Sequence, residues 1–275
     1  MDLYCHEELD EEEEEKKDDA VPWRPTMHKQ HATEGSFQKL LDKQHPCLDR
    51  LYMNDHDPFV TADERTAALG CMLRRYCLEK EMSDETFMTA VWIFDRYIER
   101  ATVQNLKCHE IDSTQRKETQ IDELALYCLS LSSKWTDACP ITWYVNVRMD
   151  RDMDILGVLG WKVRYTTPET LVPYIILWLE SAAVADGDFV LQRDLVAIYH
   201  RACLYVMFST LIHGVMLLKP SLVAAACVAA GSAYIDPPTQ HARLNQICNV
   251  LPDSCDNRDT VKSLRDTFIN DIIFT

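Results

Sequence analysis

From about residue 46 onward, apolar residues recur at the three-to-four-residue spacing of helices, and strand-like alternation is nearly absent. Thr61-Ala62-Asp63-Glu64 reads as a capping box, followed by Ala68, Leu69, Met72, Leu73 and Tyr76 on one stripe. Ser83 caps a second helix, with Asp84 and Glu85 in its first turn and Phe87, Val91, Phe94 and Ile98 facing inward. The polar stretch from Thr102 to Gln120 reads as a loop. A third helix spans Ile121 to Lys134, with Leu124, Tyr127, Cys128 and Leu131 inward. Pro140 breaks the chain before a short segment to about Val147, and a further helix runs from Met149 to Trp161, burying Met153, Leu156 and Leu159.

Thr167 then acts as N-cap with Pro168 at the first helical position, where its missing N–H costs nothing. Helices follow at about 168–183, 190–212, 220–235, 240–250 and 257–272. The one starting at Pro220 is apolar on every face, so it must be surrounded by others. The pattern predicts an all-α protein of two tandem five-helix units: a first over 46–165, a second over 166–275. Residues 1–45 are polar and aperiodic and read as a disordered acidic tail.

Charge sharpens this organisation. The net charge is -16, and residues 1–19 carry eleven acids, including the run Glu11 to Glu15, against Lys16 and Lys17. Neither the tail nor the remainder has the basic stripe needed to neutralise phosphates, which argues against nucleic-acid binding. The N-terminus has no basic region followed by an apolar stretch, so the eleven cysteines are expected as free thiols, and Cys71, Cys77, Cys128, Cys203 and Cys227 fall on apolar helical positions. The longest nearly uncharged run, Pro220 to Ile235, is too short for a membrane span. With seven glycines and no glycine-rich phosphate loop or clustered histidines, no catalytic activity and no cofactor or metal are expected.

Specific motifs then carry a resemblance. Ala90-Val91-Trp92-Ile93-Phe94-Asp95-Arg96-Tyr97-Ile98 resembles the second cyclin-box helix, and Leu126 to Lys134, ending Ser132-Ser133-Lys134, is similar to the third. Asp154 to Trp161, followed by Thr167-Pro168-Glu169, resembles the fifth helix and the linker into a second cyclin fold; Lys219-Pro220-Ser221-Leu222-Val223-Ala224-Ala225 resembles the D-type version of that fold. In the tail, Leu3, Cys5 and Glu7 stand at alternate positions, so an extended backbone would present all three to one groove. This spacing is similar to the Leu-x-Cys-x-Glu motif by which D-type cyclins hold retinoblastoma-type pocket proteins.

The resemblance to D-type cyclins implies a regulatory subunit, not an enzyme: a partner that binds and activates a cyclin-dependent serine/threonine kinase of the D-type-responsive class to drive the G1/S transition of the cell division cycle. It implies that Lys134 and an acid, Asp152 by register with Asp150 and Asp154 as neighbours, grip the kinase's mobile helix. Asp152 stands where the family has glutamate, one methylene longer. It implies a substrate-docking patch at Arg65, Leu69 and Met72, with methionine in the place of a tryptophan and so a poorer groove. The Lys134–Asp152 spacing is shorter than the family's, implying a cut-down fourth helix, and an insertion is expected in the polar Asn105–Thr119 loop. A nuclear and cytoplasmic location is expected, with nuclear entry carried by a partner because no clear basic import signal is present. Few residues follow the last helix before Thr275, so any degradation signal is expected elsewhere. The alternative is a divergent cyclin-fold module that sequesters a kinase or a pocket protein without activating it.

Overall fold

The computed structural model describes residues 34–42, 60–78, 82–103, 114–137, 149–163, 165–212, 214–235, 237, 240–251 and 254–272. Leu3, Cys5, Glu7, the acidic run and the expected short segment after Pro140 lie outside the described residues. Within them the order is α1 (Glu34–Asp42), α2 (Ala62–Leu78), α3 (Asp84–Val103), α4 (Thr114–Thr136), α5 (Met149–Leu159), α6 (Pro168–Asp186), α7 (Phe189–Ser209), a 3-10 turn (Val215–Leu217), α8 (Pro220–Ile235), α9 (Gln240–Cys248) and α10 (Ser254–Asp271). No strand occurs among the described residues, and the chain is all-α.

The capping box at Thr61 forms in both directions. The Thr61 amide donates to Glu64 Oε2 at 2.8 Å and the Glu64 amide to Thr61 Oγ1 at 3.2 Å, satisfying two donors that a helix start leaves open. Ser83 Oγ accepts the Thr86 amide at 3.2 Å and caps α3. At Thr167 the cap is only half realised: its backbone is extended, but its hydroxyl makes no capping bond and is buried without a partner. Gly187, at φ 68°, closes α6 in a left-handed turn, and Asp188 Oδ1 accepts the Leu191 amide at 2.9 Å to open α7 directly after it.

α3 packs on α4 and α5, and α4 on α2; α8 lies at the centre of the second group, against α6, α7, α9 and α10. Every residue of α8 from Ser221 to Ala233 is buried. Gly231 is required there, because a Cβ would stand 2.9 Å from the Ile198 carbonyl oxygen and 3.3 Å from the Ala202 nitrogen of α7.

Several expectations are corrected. Residues 34–42, read as part of a structureless tail, form α1: Phe37, Leu40 and Leu41 make a short apolar stripe, Phe37 stacks on Tyr174 of α6 at 5.5 Å, and Thr166 Oγ1 donates to the Leu40 carbonyl. α4 starts at Thr114, inside the expected loop; Gln115, Arg116, Lys117 and Glu118 are good helix formers that carry no apolar period to betray them. Met153 is 55% exposed; the inward face of α5 is Ile155, Leu156 and Leu159. Cys77 is exposed rather than buried, whereas Cys128, Cys203 and Cys227 are buried free thiols.

Candidate functional site

The end of α4 is held in place before it presents any charge. Ser132 Oγ donates to the Thr86 carbonyl of α3 at 2.8 Å, and the hydroxyls of Thr136 and Thr86 meet at 2.5 Å. One residue past α4, Asp137 Oδ1 accepts from the Ser83 amide (3.3 Å), Ser83 Oγ (2.9 Å) and Thr86 Oγ1 (2.7 Å). A carboxylate gathering three donors at the start of α3 fixes the last turn of α4 against that helix. Sequence reasoning missed Asp137, Thr86 and Thr136, since their bonds join positions about fifty residues apart.

On this fixed turn stands Lys134, whose Nζ lies 2.5 Å from Asp152 Oδ2 on α5. The lysine side chain is 39% exposed and the aspartate 14%. Asp152 Oδ1 is buried and has no hydrogen-bond partner, so Lys134 satisfies only one of the two carboxylate oxygens. Of the alternative acids, Asp154 is exposed, and the Asp150 side chain lies outside the described residues. The sequence neighbours of the pair, Trp135 at 43% and Met153 at 55%, are large exposed apolar side chains.

The expected docking patch does not exist as a surface. Arg65 is 1% exposed, and Leu69 and Met72 are fully enclosed. Arg65 instead makes a two-pronged ion pair with Asp95, Nε to Oδ1 at 2.8 Å and a second nitrogen to Oδ2 at 2.9 Å, and its remaining Nη donates to the Thr210 carbonyl at 2.9 Å. That third bond joins α2 to the end of α7, across 145 residues of sequence. A guanidinium can satisfy a carboxylate and a carbonyl together because its donors lie in a rigid planar fork. Burial pushes the Asp95 carboxyl up and the Arg65 charge opposes it. The error came from aligning a motif without its helix face: Arg65, Leu69 and Met72 share the inward stripe of α2.

Among the described residues no cluster of three or more His, Cys, Asp or Glu could hold a metal ion, and no helix is long and apolar enough to cross a membrane. Residues 36–163 match the family model described as the cyclin N-terminal domain. That segment is similar to the cyclin N-terminal domain. The chain as a whole is similar in structure to a viral cyclin from herpesvirus saimiri solved by X-ray crystallography, with a TM-score of 0.59 and 16% sequence identity, covering 87% of this chain and 97% of that one. At that identity the likeness shows the fold, and the chain has a cyclin fold. Comparison with curated protein sequences finds no match. Lys134, Asp152 and the Arg65–Asp95 pair all lie within the matched segment.

Proposed function

We propose that this chain is the regulatory subunit of a cyclin-dependent serine/threonine kinase, and that its partner is the D-type-responsive class of that kinase. The carrying observation is the Lys134–Asp152 pair. It stands at the surface of the matched segment, on a helix end bolted to its neighbour, beside exposed Trp135 and Met153. A surface charge pair on two helices that also expose large apolar side chains suits a protein interface better than open solvent. The exposed part of Lys134 offers N–H donors that a backbone carbonyl at the kinase's mobile helix can accept. Held in its active position, that helix completes the Lys–Glu pair of the kinase, and phosphoryl transfer follows on the kinase, not here.

The same reading gives Leu3, Cys5 and Glu7 the task of bringing a retinoblastoma-type pocket protein to the kinase, as a tethered second site raises local concentration. It places the protein at the G1/S transition, in nucleus and cytoplasm. The absence of an exposed docking surface at Arg65 supports this division of labour, since it leaves the tail as the route to substrate.

The test is to mix the purified full chain with kinases of this class and measure complex formation and turnover on two substrates, a pocket-protein fragment and a short generic peptide. Activation on both is expected. Changing Cys5 and Glu7 to alanine should lower phosphorylation of the pocket protein and leave the peptide rate unaltered; equal loss on both contradicts tethering. Asp152 favours one second reading, because its shorter side chain reaches less far than the glutamate it replaces. Binding without a rise in turnover would identify a sequestering module.

A further inference from the structure

Where α6 begins, polar groups from four helices converge between the first and the second helical group. Glu169, in the first turn of α6, has Oε2 buried without a hydrogen-bond partner. The charges acting on it are Glu85 and Asp84, both from the first turn of α3. Asp84 accepts from the Tyr76 hydroxyl of α2. On α7, Tyr199 and Cys203 are hydrogen bonded to each other and both feel Glu169 and Asp84. Burial is the largest influence holding both of those groups protonated, Cys203 being pushed up to about 12, so both stay neutral beside Glu169. The first turn of α6 is also weakly tied: Thr167 Oγ1 makes no cap, and Pro173 has no N–H to offer the Glu169 carbonyl.

We infer that this seam is a proton-operated clasp: with a neutral Glu169 the start of α6 seats against α3, and an ionised Glu169 opposes Asp84 and Glu85 and loosens it. A third carboxylate, buried in part and without a cation beside it, is disfavoured in its charged form by desolvation and by like charge together. Those causes, burial first and then Glu85 and Asp84, push the Glu169 carboxyl up to about 7. The unfolded chain releases this proton in the ordinary carboxylate range, near pH ~4.3. Between those values the folded chain binds more protons than the unfolded one, so the contribution of Glu169 to stability falls as pH rises and levels off above about 7. The clasp is thus fully seated in mild acid and half released near neutrality. This inference does not depend on the kinase reading, and its test uses the full chain alone.

Thermal unfolding from pH 5 to 8 should be compared for the natural chain and Glu169→Gln, which keeps the shape and cannot ionise. The difference in melting temperature should be smallest at pH 5, grow in favour of Glu169→Gln up to pH 7 and then hold steady. Hydrogen exchange, corrected for its intrinsic pH dependence, should show about tenfold more opening of the first turns of α6 and α3 at pH 8 than at pH 6, a change of one unit in the bound-proton balance, with no such change at buried α8. Should Glu169→Gln fail to fold, the exposed Glu85→Gln removes one opposing charge and should shrink the rise in opening between pH 6 and 8 and bring its levelling-off to lower pH, because with less repulsion Glu169 ionises at lower pH and with less strain. Parallel melting curves for the natural chain and Glu169→Gln, or an opening that Glu85→Gln leaves where it was, would overturn the clasp.

Discussion

Lys134 and Asp152, eighteen residues apart, meet at 2.5 Å and join the last turn of α4 to α5. With more than a third of the lysine exposed, solvent screens the attraction, and the pair contributes under about 1 kcal/mol to folding. Lys134→Ala should therefore leave the melting temperature nearly unchanged while reducing kinase activation at least about tenfold, the loss of ~1.4 kcal/mol of interface energy. A large drop in stability would mean the pair is structural. Asp152→Glu restores the longer reach and should retain or raise activation in the same assay.

Arg65 and Asp95 behave in the opposite way, because both are buried. Arg65→Met strands a carboxylate in the interior and should cost roughly 3–5 kcal/mol in urea unfolding. Replacing both, with Met at 65 and Leu at 95, should cost less than either single change, since no charge is then left unpaired. Kinase binding per folded molecule is expected to survive the double change.

Gly231→Ala puts a methyl group against the backbone of α7, which cannot swing aside as a side-chain tip can. A loss of about 1–3 kcal/mol is expected from this overpacking. Equilibrium denaturation would show it. Gly157→Ala makes a control, as a Cβ there meets nothing within 4 Å.

Phe37 anchors α1 by its stack on Tyr174. Phe37→Ala should remove about 0.5–1.5 kcal/mol of ring–ring interaction beyond the area buried. Limited proteolysis should then cut within 34–42 faster, while the fragment containing α8 stays resistant.

Much of the helical plan was legible in the residues. The capping box at Thr61, the Ser83 cap, the stripe Phe87–Val91–Phe94–Ile98 and the bounds of α8 all come from local rules, and the structure agrees with each. The features that escaped share one cause, namely a signal too short or too polar to be periodic. α1 has a single three-residue stripe, and the first turns of α4 hold propensity without pattern. For the candidate site, Lys134 and Asp152 were picked out by motif, yet their contact, the Asp137 brace and the exposure of Trp135 and Met153 were not readable. The docking patch was misplaced because the motif was set on the inward stripe of α2, where the apolar period had already put Leu69 and Met72.

By itself the sequence determined that this protein is helical, where most helices start, and that Pro220–Ile235 lies in an interior, since hydrophobic period and capping act over a few residues. Which charges meet was decided only by the tertiary structure. Arg65 finds Asp95 and Thr210, Lys134 finds Asp152, and Glu169 lies under the charges of Asp84 and Glu85 because helices distant along the chain are packed together. Electrostatics falls off with distance in space, and distance in space is what a linear sequence does not hold.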